Sequence, residues 1–298
     1  MTDHKVLFIV NKYSGTGYSP AIEEKILAQC KKRNLECAIE FTQEPGHATT
    51  LARMAVDNKF KMVFAVGGDG TMNEVAQGLL HSPVAMGIIP KGSGNGLARH
   101  LRIPFSIEDA LQLLDMKNTI NIDTININNH LSVNVSGIGF DGHIAEMFAR
   151  DGNRGLFTYG KLVVSQFNKF ESFECQVSLD GVTTQENLFS ISFANSSQFG
   201  NNAFIAPTAS LCDQLIDVCM VNKMNTFQGI QFVRKLFNKT LHQSQLVRIA
   251  QAREIKITTQ KKIPFHIDGE AATATTSFDI RINPSSLRVI TSSGNYSI

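Results

Sequence analysis

Between Val63 and Val75 an apolar run passes without a spacer into Gly67-Gly68-Asp69-Gly70-Thr71 and then into a helical pattern through Asn73 and Glu74. That order commits this part of the chain to a buried strand, a tight turn and a helix. Glycines at such a turn permit positive φ and close approach. Successive backbone N–H groups and the helix N-terminus then face one point, a geometry suited to phosphate. A plain capped turn explains the glycines but not the acids. Asp69 sets a carboxylate beside that point, where it can orient a Mg²⁺-bound nucleotide, and Thr71 offers a hydroxyl and an N-cap.

The surrounding sequence repeats the theme. Short apolar runs at residues 6–10, 37–41, 62–66 and 85–89 alternate with helical patterns at 21–33, 48–58 and 72–80. Strands alternating with helices predict βαβ units and a parallel sheet, whose ligands bind at the carboxyl ends of the strands. A second glycine loop, Pro90-Lys91-Gly92-Ser93-Gly94-Asn95-Gly96, follows the run at 85–89, and Lys91 adds positive charge there. A third, Asn11-Lys12-Tyr13-Ser14-Gly15-Thr16-Gly17, follows the first run. Three such loops on one sheet edge make a nucleotide site.

From about residue 121 the texture changes to strand-like segments at 122–127, 131–135, 173–179, 188–194, 216–221, 254–259, 265–267 and 278–280, with helical patches at 144–149 and 226–240. This predicts an antiparallel sandwich. The expected fold is thus an N-terminal nucleotide-binding α/β domain over residues 1–121 and a C-terminal β-sandwich over 122–283, with the active site in the cleft between them. At 298 residues the chain exceeds the usual single-domain size, in keeping with two domains.

Within the second half, Gly137-Ile138-Gly139-Phe140-Asp141-Gly142 matches the G-x-G-x-x-G pattern, but the alternating βα texture has ended there and no acidic strand end follows. Dinucleotide binding is therefore set aside, and the absence of G-x-x-x-x-G-K-[ST] excludes a P-loop NTPase. Late in the chain, His266-Ile267-Asp268-Gly269-Glu270 puts two acids around a glycine. A positioned carboxylate suits removal of a proton from an alcohol during phosphoryl transfer. Asp268-Gly269 also spells a two-residue hairpin turn. His266 reads as strand packing.

Taken together, these motifs resemble the diacylglycerol kinase catalytic family, including bacterial lipid kinases and sphingosine kinases, over nearly the whole chain. The G-G-D-G-T-x-N-E block, Gly67 to Glu74, is its most specific mark. The resemblance implies an ATP site formed by that block with Asn11, Ser14, Gly15, Thr42, Gly92, Ser93, Gly94 and Asn95. It also implies a catalytic acid motif at Asp268-Gly269-Glu270, with Glu270 as base and Asp268 close behind, and Asp69 in the catalytic set. A loop at residues 207–217 resembles one that holds a structural Mg²⁺ through an aspartate and flanking carbonyls, here Asp213 with Ser210 and Leu215. Lys12 stands where the family usually has proline, and Gln214 replaces a frequent glycine. The family's last strand, here near 287–291, returns to the first domain, which would add residues 284–298 to it.

The implied activity is transfer of the ATP γ-phosphoryl group to a lipid hydroxyl, diacylglycerol-like or sphingoid, with ATP and Mg²⁺ as cofactors. Alternatives are an NAD kinase, which shares the G-G-D-G-T block, and a non-catalytic nucleotide or lipid sensor. A net charge of +2 gives no electrostatic footprint for nucleic acid. Five cysteines without C-x-x-C spacing read as reduced core thiols, and no stretch reaches ~18 uninterrupted apolar residues. The expectation is a cytoplasmic protein with peripheral membrane contact. Phe157, Phe167, Phe170 and Phe173 suit either a lipid cleft or ordinary core, and the sequence is compatible with a homodimer.

Overall fold

A computed structural model describes residues 5–15, 17, 19–151 and 155–292. The chain divides into two compact units, Met1–Ile122 with Ser285–Ile298, and Asp123–Pro284.

The first unit is an α/β layer. Its elements are β1 (Lys5–Val10), α1 (Ala21–Lys32), β2 (Glu36–Phe41), α2 (His47–Asp57), β3 (Met62–Gly67), α3 (Asp69–Leu79), β4 (Ala85–Pro90), and short helices α4 (Gly96–His100) and α5 (Ile107–Ala110). The strands are parallel in the order β4-β3-β1-β2. β3 and β4 are buried at every residue, as expected for parallel strands covered on both faces. On one face Ile22, Ile26 and Cys30 of α1, spaced four apart, pack with Phe8, Phe64 and Val66. Elsewhere α2 and α3 cross closely, because a Cβ on Gly78 would meet the Ala52 Cβ at 2.5 Å.

The second unit is antiparallel. It contains β5 (Thr119–Ile127, starting in the first unit), β6 (His130–Ser132), β7 (Val135–Gly139), α6 (Phe140–Arg150), α7 (Leu156–Gln166), β8 (Phe173–Leu179), β9 (Val182–Leu188) and β10 (Ser190–Ala194). These are followed by β11 (Ile216–Val221), α8 (Thr226–Phe237), β12 (Val247–Ala252), β13 (Glu254–Ile267) and β14 (Glu270–Ile290). Neighbours run β12-β11-β10-β7-β13-β14, with β8 on β13 and β9 beyond it. One core collects Ile138, Phe193, Val218, Ile257, Phe265 and Phe278 from these strands. The end of β14 belongs to the first unit, where Val289 pairs in parallel with Met86 of β4. Residues 293–298 of the expected returning segment lie outside the described residues.

None of the five cysteines is in a disulfide. Among the described residues no helix is long and apolar enough to cross a membrane.

Candidate active site

Because β1, β3 and β4 are parallel neighbours, the loops leaving them lie on one edge of the sheet. Their backbones touch. A Cβ on Gly15, whose φ is +65°, would stand 1.8 Å from the Lys91 carbonyl oxygen, and one on Gly92 would stand 2.6 Å from the Gly68 Cα. Only glycine fits either place. The Lys91 N–H donates to the Gly67 carbonyl at 2.7 Å. Asn11 donates from its backbone to the Val66 carbonyl at 3.0 Å and from Nδ2 to Thr71 Oγ1 at 3.1 Å. Ser14 Oγ donates to the Asn11 carbonyl. Thr16 lies outside the described residues.

Asp69 sits in the first turn of α3 and its carboxylate is engaged by the second loop. Oδ2 accepts the Asn95 N–H at 2.7 Å and Oδ1 the Gly96 N–H at 2.8 Å. Asn95, buried and left-handed at φ 51°, closes that loop on itself: Oδ1 accepts the Gly92 N–H and Nδ2 donates to the Gly92 carbonyl. Ser93 is exposed at the loop tip, and the Gly94 carbonyl accepts from Arg99 Nε. The N-terminus of α3, with Gly68 at the cap and Gly70 in the first turn, has no side-chain cap. The first N–H groups of a helix have no acceptor within the helix, which makes such a terminus suited to an anion.

Two residues do something different from facing the phosphate. The Glu74 carboxylate accepts the Gly46 and Ala48 N–H groups at 2.9 and 3.1 Å, capping α2 from a neighbouring helix. Lys91 Nζ donates to the Gly17 carbonyl at 2.7 Å, and burial lowers its pKa. The ammonium thus ties the second loop to the first. Thr42 donates its N–H to the Val10 carbonyl at the end of β2, and Asn73 is half-buried in α3. Lys12 places Nζ 3.8 Å from the centroid of the Phe41 ring.

In the second unit, Asp268 and Gly269 both have positive φ, 49° and 93°, and Ile267 pairs with Glu270. The segment is therefore a two-residue hairpin turn between β13 and β14. The Asp268 carboxylate is buried and accepts from Ser132 Oγ at 2.6 Å, Val133 N–H at 2.9 Å and Asn134 N–H at 3.0 Å. The Asp268 N–H itself donates to Ser136 Oγ. Glu270, two residues on, is exposed at the start of β14. His266 is buried with its pKa pushed down to about 4 by desolvation, so the ring is neutral and Nδ1 accepts the Gly269 N–H at 3.0 Å. It holds the turn as well as packing in the strand.

The loop before β11 carries Ser210, Asp213 and Leu215. Asp213 Oδ1 accepts the Leu215 N–H at 3.0 Å. Gln214 adopts a left-handed φ of 63° and donates its N–H to Asp123 Oδ2 at 2.7 Å. That is a conformation glycine adopts more easily, and here the chain holds it with a side chain in place. Burial raises the Asp213 pKa and the nearby Asp123 charge adds to it. Asp217, fully buried on β11, has its pKa pushed up to about 6 by desolvation and by Asp213, and its Oδ2 has no hydrogen-bond partner among the described residues. No group of three or more His, Cys, Asp or Glu side chains is placed to hold a metal among the described residues.

The residues matching G-x-G-x-x-G form the end of β7 and the start of α6, in an antiparallel setting. Their glycines serve packing. A Cβ on Gly142 would lie 2.3 Å from the Pro264 carbonyl, and Gly139 (φ +87°) abuts the Phe173 ring. Phe167 and Phe170 pack around Phe140 and Phe189, Phe173 joins the main core, and Phe157 is exposed.

Comparison with known proteins places this arrangement. Residues 5–127 match the model of the diacylglycerol kinase catalytic domain, and residues 134–291 that of the YegS C-terminal NAD kinase beta sandwich-like domain. A diacylglycerol kinase of Bacillus subtilis (strain 168) is 27% identical over 276 residues, covering 88% of each chain. An uncharacterized protein of Synechocystis is 30% identical over 237 residues, 76% of this chain but 54% of that protein. The crystal structure of a diacylglycerol kinase from Bacillus anthracis superposes with a TM-score of 0.76 over 97% of both chains at 23% identity, a likeness of fold.

Proposed function

Because the chain belongs to the diacylglycerol kinase catalytic-domain family, with the YegS-type sandwich as its second domain, we propose that it transfers the γ-phosphoryl group of ATP to a lipid hydroxyl. The observation that carries this reading is the meeting of three backbones at Gly15, Gly68 and Gly92, where no side chain fits and the uncapped N-terminus of α3 begins. Such a cradle suits polyphosphate.

In the reaction, the acceptor oxygen attacks the γ-phosphorus, the bond to the β,γ-bridging oxygen breaks, ADP leaves, and the hydroxyl proton passes to a carboxylate. We assign that base to Glu270. Asp268 is occupied by three donors and acts as a positioning residue that fixes the turn presenting Glu270. Asp69 is likewise a positioning residue. Both of its oxygens accept backbone N–H groups, which does not fit a direct ligand of the nucleotide's Mg²⁺. Backbone N–H groups of the loops bind the phosphates and stabilise charge as it develops.

The loop at Ser210, Asp213 and Leu215 fits a structural Mg²⁺. A cation there would relieve the repulsion between Asp213 and Asp123, and the ligands would be the Asp213 carboxylate with the carbonyls of Ser210 and Leu215. The acceptor being a membrane lipid and the donor ATP, the enzyme works from the cytoplasm as a peripheral protein.

NAD as acceptor is the second reading, favoured by the NAD kinase-like description of the matched sandwich. Against it, the Glu74 carboxylate is committed to the N-terminus of α2 rather than open to a ribose. A γ-phosphate transfer assay with labelled Mg²⁺-ATP decides. Micellar diacylglycerol, ceramide, sphingosine, monoacylglycerol and phosphatidylglycerol are offered beside NAD. Label on a lipid supports the proposal, label on NAD overturns it, and ATP binding without transfer to any acceptor points to a sensor.

A further inference from the structure

Helix α8 buries only one of its sides. Phe232 and Leu236 turn inward onto the cluster formed by Val135, Ala194 and Leu241. Gly229 lies against the Phe167 ring, where a Cβ would come within 2.6 Å. The other side carries Phe227, Ile230, Val233 and Phe237, spaced to form one stripe along the helix. Those four side chains are 68%, 65%, 45% and 48% exposed. Single exposed apolar residues need no explanation, but a continuous stripe of four on one helix marks an interaction surface.

Charge identifies what covers it. Residues 218–253 contain six Lys or Arg and no Asp or Glu, in a chain whose totals are 28 and 26; Lys223 and Arg248 are paired with Glu171 and Glu186, while Arg234, Lys235, Lys239 and Arg253 have no ion pair among the described residues. The neighbouring residues 155–170, linked to α8 where Thr226 Oγ1 meets Asn168 Oδ1 at 3.4 Å, add Lys161 and Lys169, again with no acid. Arg234 emerges beside the apolar stripe and has no carboxylate partner among the described residues. A second copy of the chain docked on this face would set cation against cation. An anionic bilayer answers both properties at once, taking the apolar stripe at the acyl boundary and the Lys and Arg groups at the lipid phosphates.

We propose that α8 is a membrane-docking helix that lies in the headgroup plane of an anionic phospholipid bilayer. The inference deepens the reading of the chain as an enzyme with a membrane-borne acceptor, yet its test needs neither ATP nor turnover. The full chain is sedimented with vesicles of phosphatidylcholine alone and of phosphatidylcholine mixed with phosphatidylglycerol. Binding is expected on the mixed vesicles, weakening as salt is raised. The double variant Phe227→Ser/Ile230→Ser should bind at least about tenfold more weakly. Arg234→Glu should lose affinity several-fold for the mixed vesicles alone, as expected for removal of one surface cation near anionic lipid. Both change exposed positions that belong to neither the glycine loops nor the hairpin, so thermal melts and turnover of a short-chain, water-soluble acceptor should stay at wild-type values.

Vesicle binding that is unchanged in the double variant overturns the proposal. So does light scattering that shows a wild-type dimer dissociated by the same substitutions, because the stripe would then serve self-association. If vesicle binding behaves as expected while no lipid alcohol is phosphorylated, the kinase reading fails and the docking helix stands.

Discussion

Asp69 Oδ2 accepts the backbone N–H of Asn95 at 2.7 Å, across 26 residues of sequence. The acid of one glycine loop is thereby the fastener of the next, and its second oxygen repeats the contact at Gly96. Asp69→Ala removes two charge-assisted bonds and leaves two N–H groups without acceptors, at a cost of about 2–4 kcal/mol. Asp69→Asn should cost less, since one carbonyl acceptor remains. Thermal melts with and without a non-hydrolysable ATP analogue check this: both the melting temperature and the shift on adding nucleotide should fall. An Ala variant that melts and binds like wild type would mean that Asp69 does not fasten the two loops.

The two acids of the hairpin should separate cleanly. Asp268→Ala strips three donors of their buried acceptor and should destabilise the second unit by about 3–5 kcal/mol. Glu270→Gln changes an exposed side chain and should leave the melt unchanged while turnover drops about 10²–10⁴-fold, the range for loss of a general base. Equal melting losses in both, or retained turnover in the glutamine variant, would contradict the division of labour.

Gly15→Ala tests the cradle. Its Cβ would press on the Lys91 carbonyl at 1.8 Å in a backbone conformation unfavourable to alanine, so the first and second loops must part. Nucleotide affinity, measured by titration calorimetry, should fall by at least about tenfold, while Gly17→Ala, with nothing within 4 Å of the added carbon, should have a smaller effect.

Asp217 supplies a pH signature. Its folded pKa of about 6 stands above the ordinary 3.8, so between these values the native state holds the proton more tightly than the unfolded state. Stability contributed by this group is therefore present below about pH 4 and lost as the pH rises to about 6. Asp217→Asn, which cannot ionise, should match wild type near pH 3.8 and exceed it above pH 6, by up to about 3 kcal/mol. Denaturant melts across that range measure the gap, and a gap that shrinks with rising pH would reverse the assigned cause.

Much of the first unit is legible in its residues because parallel strands buried on both faces leave uninterrupted apolar runs, and a glycine loop after such a run has few other meanings. The second unit is less so. Residues 254–259 and 265–267 read as two separate strand-like segments, yet β13 runs unbroken through both, with a register shift between Thr258 and Ile263. β9 is nearly all exposed, and α7 mixes exposed Phe157 and Val164 with half-buried neighbours, so neither presents a clean apolar period. The roles within Asp268-Gly269-Glu270 are hidden for a different reason. The partners that hold Asp268, at Ser132, Val133 and Asn134, are more than 130 residues away, and no local pattern encodes them. Glu74 is similar: its position inside a phosphate-loop block gives no hint that it caps α2.

The strand that starts at Glu270 ends beside β4, where Val289 pairs with Met86. The nucleotide-binding unit therefore borrows a strand that the ribosome makes only after the entire sandwich has been synthesised. Until then β4 is an open sheet edge, with unpaired backbone groups that invite association with other chains. Biosynthesis thus imposes an order: the sandwich can close first, the phosphate-loop unit is completed last, and a fragment cut before Ser285 would keep every glycine loop yet lack the strand that seals its sheet.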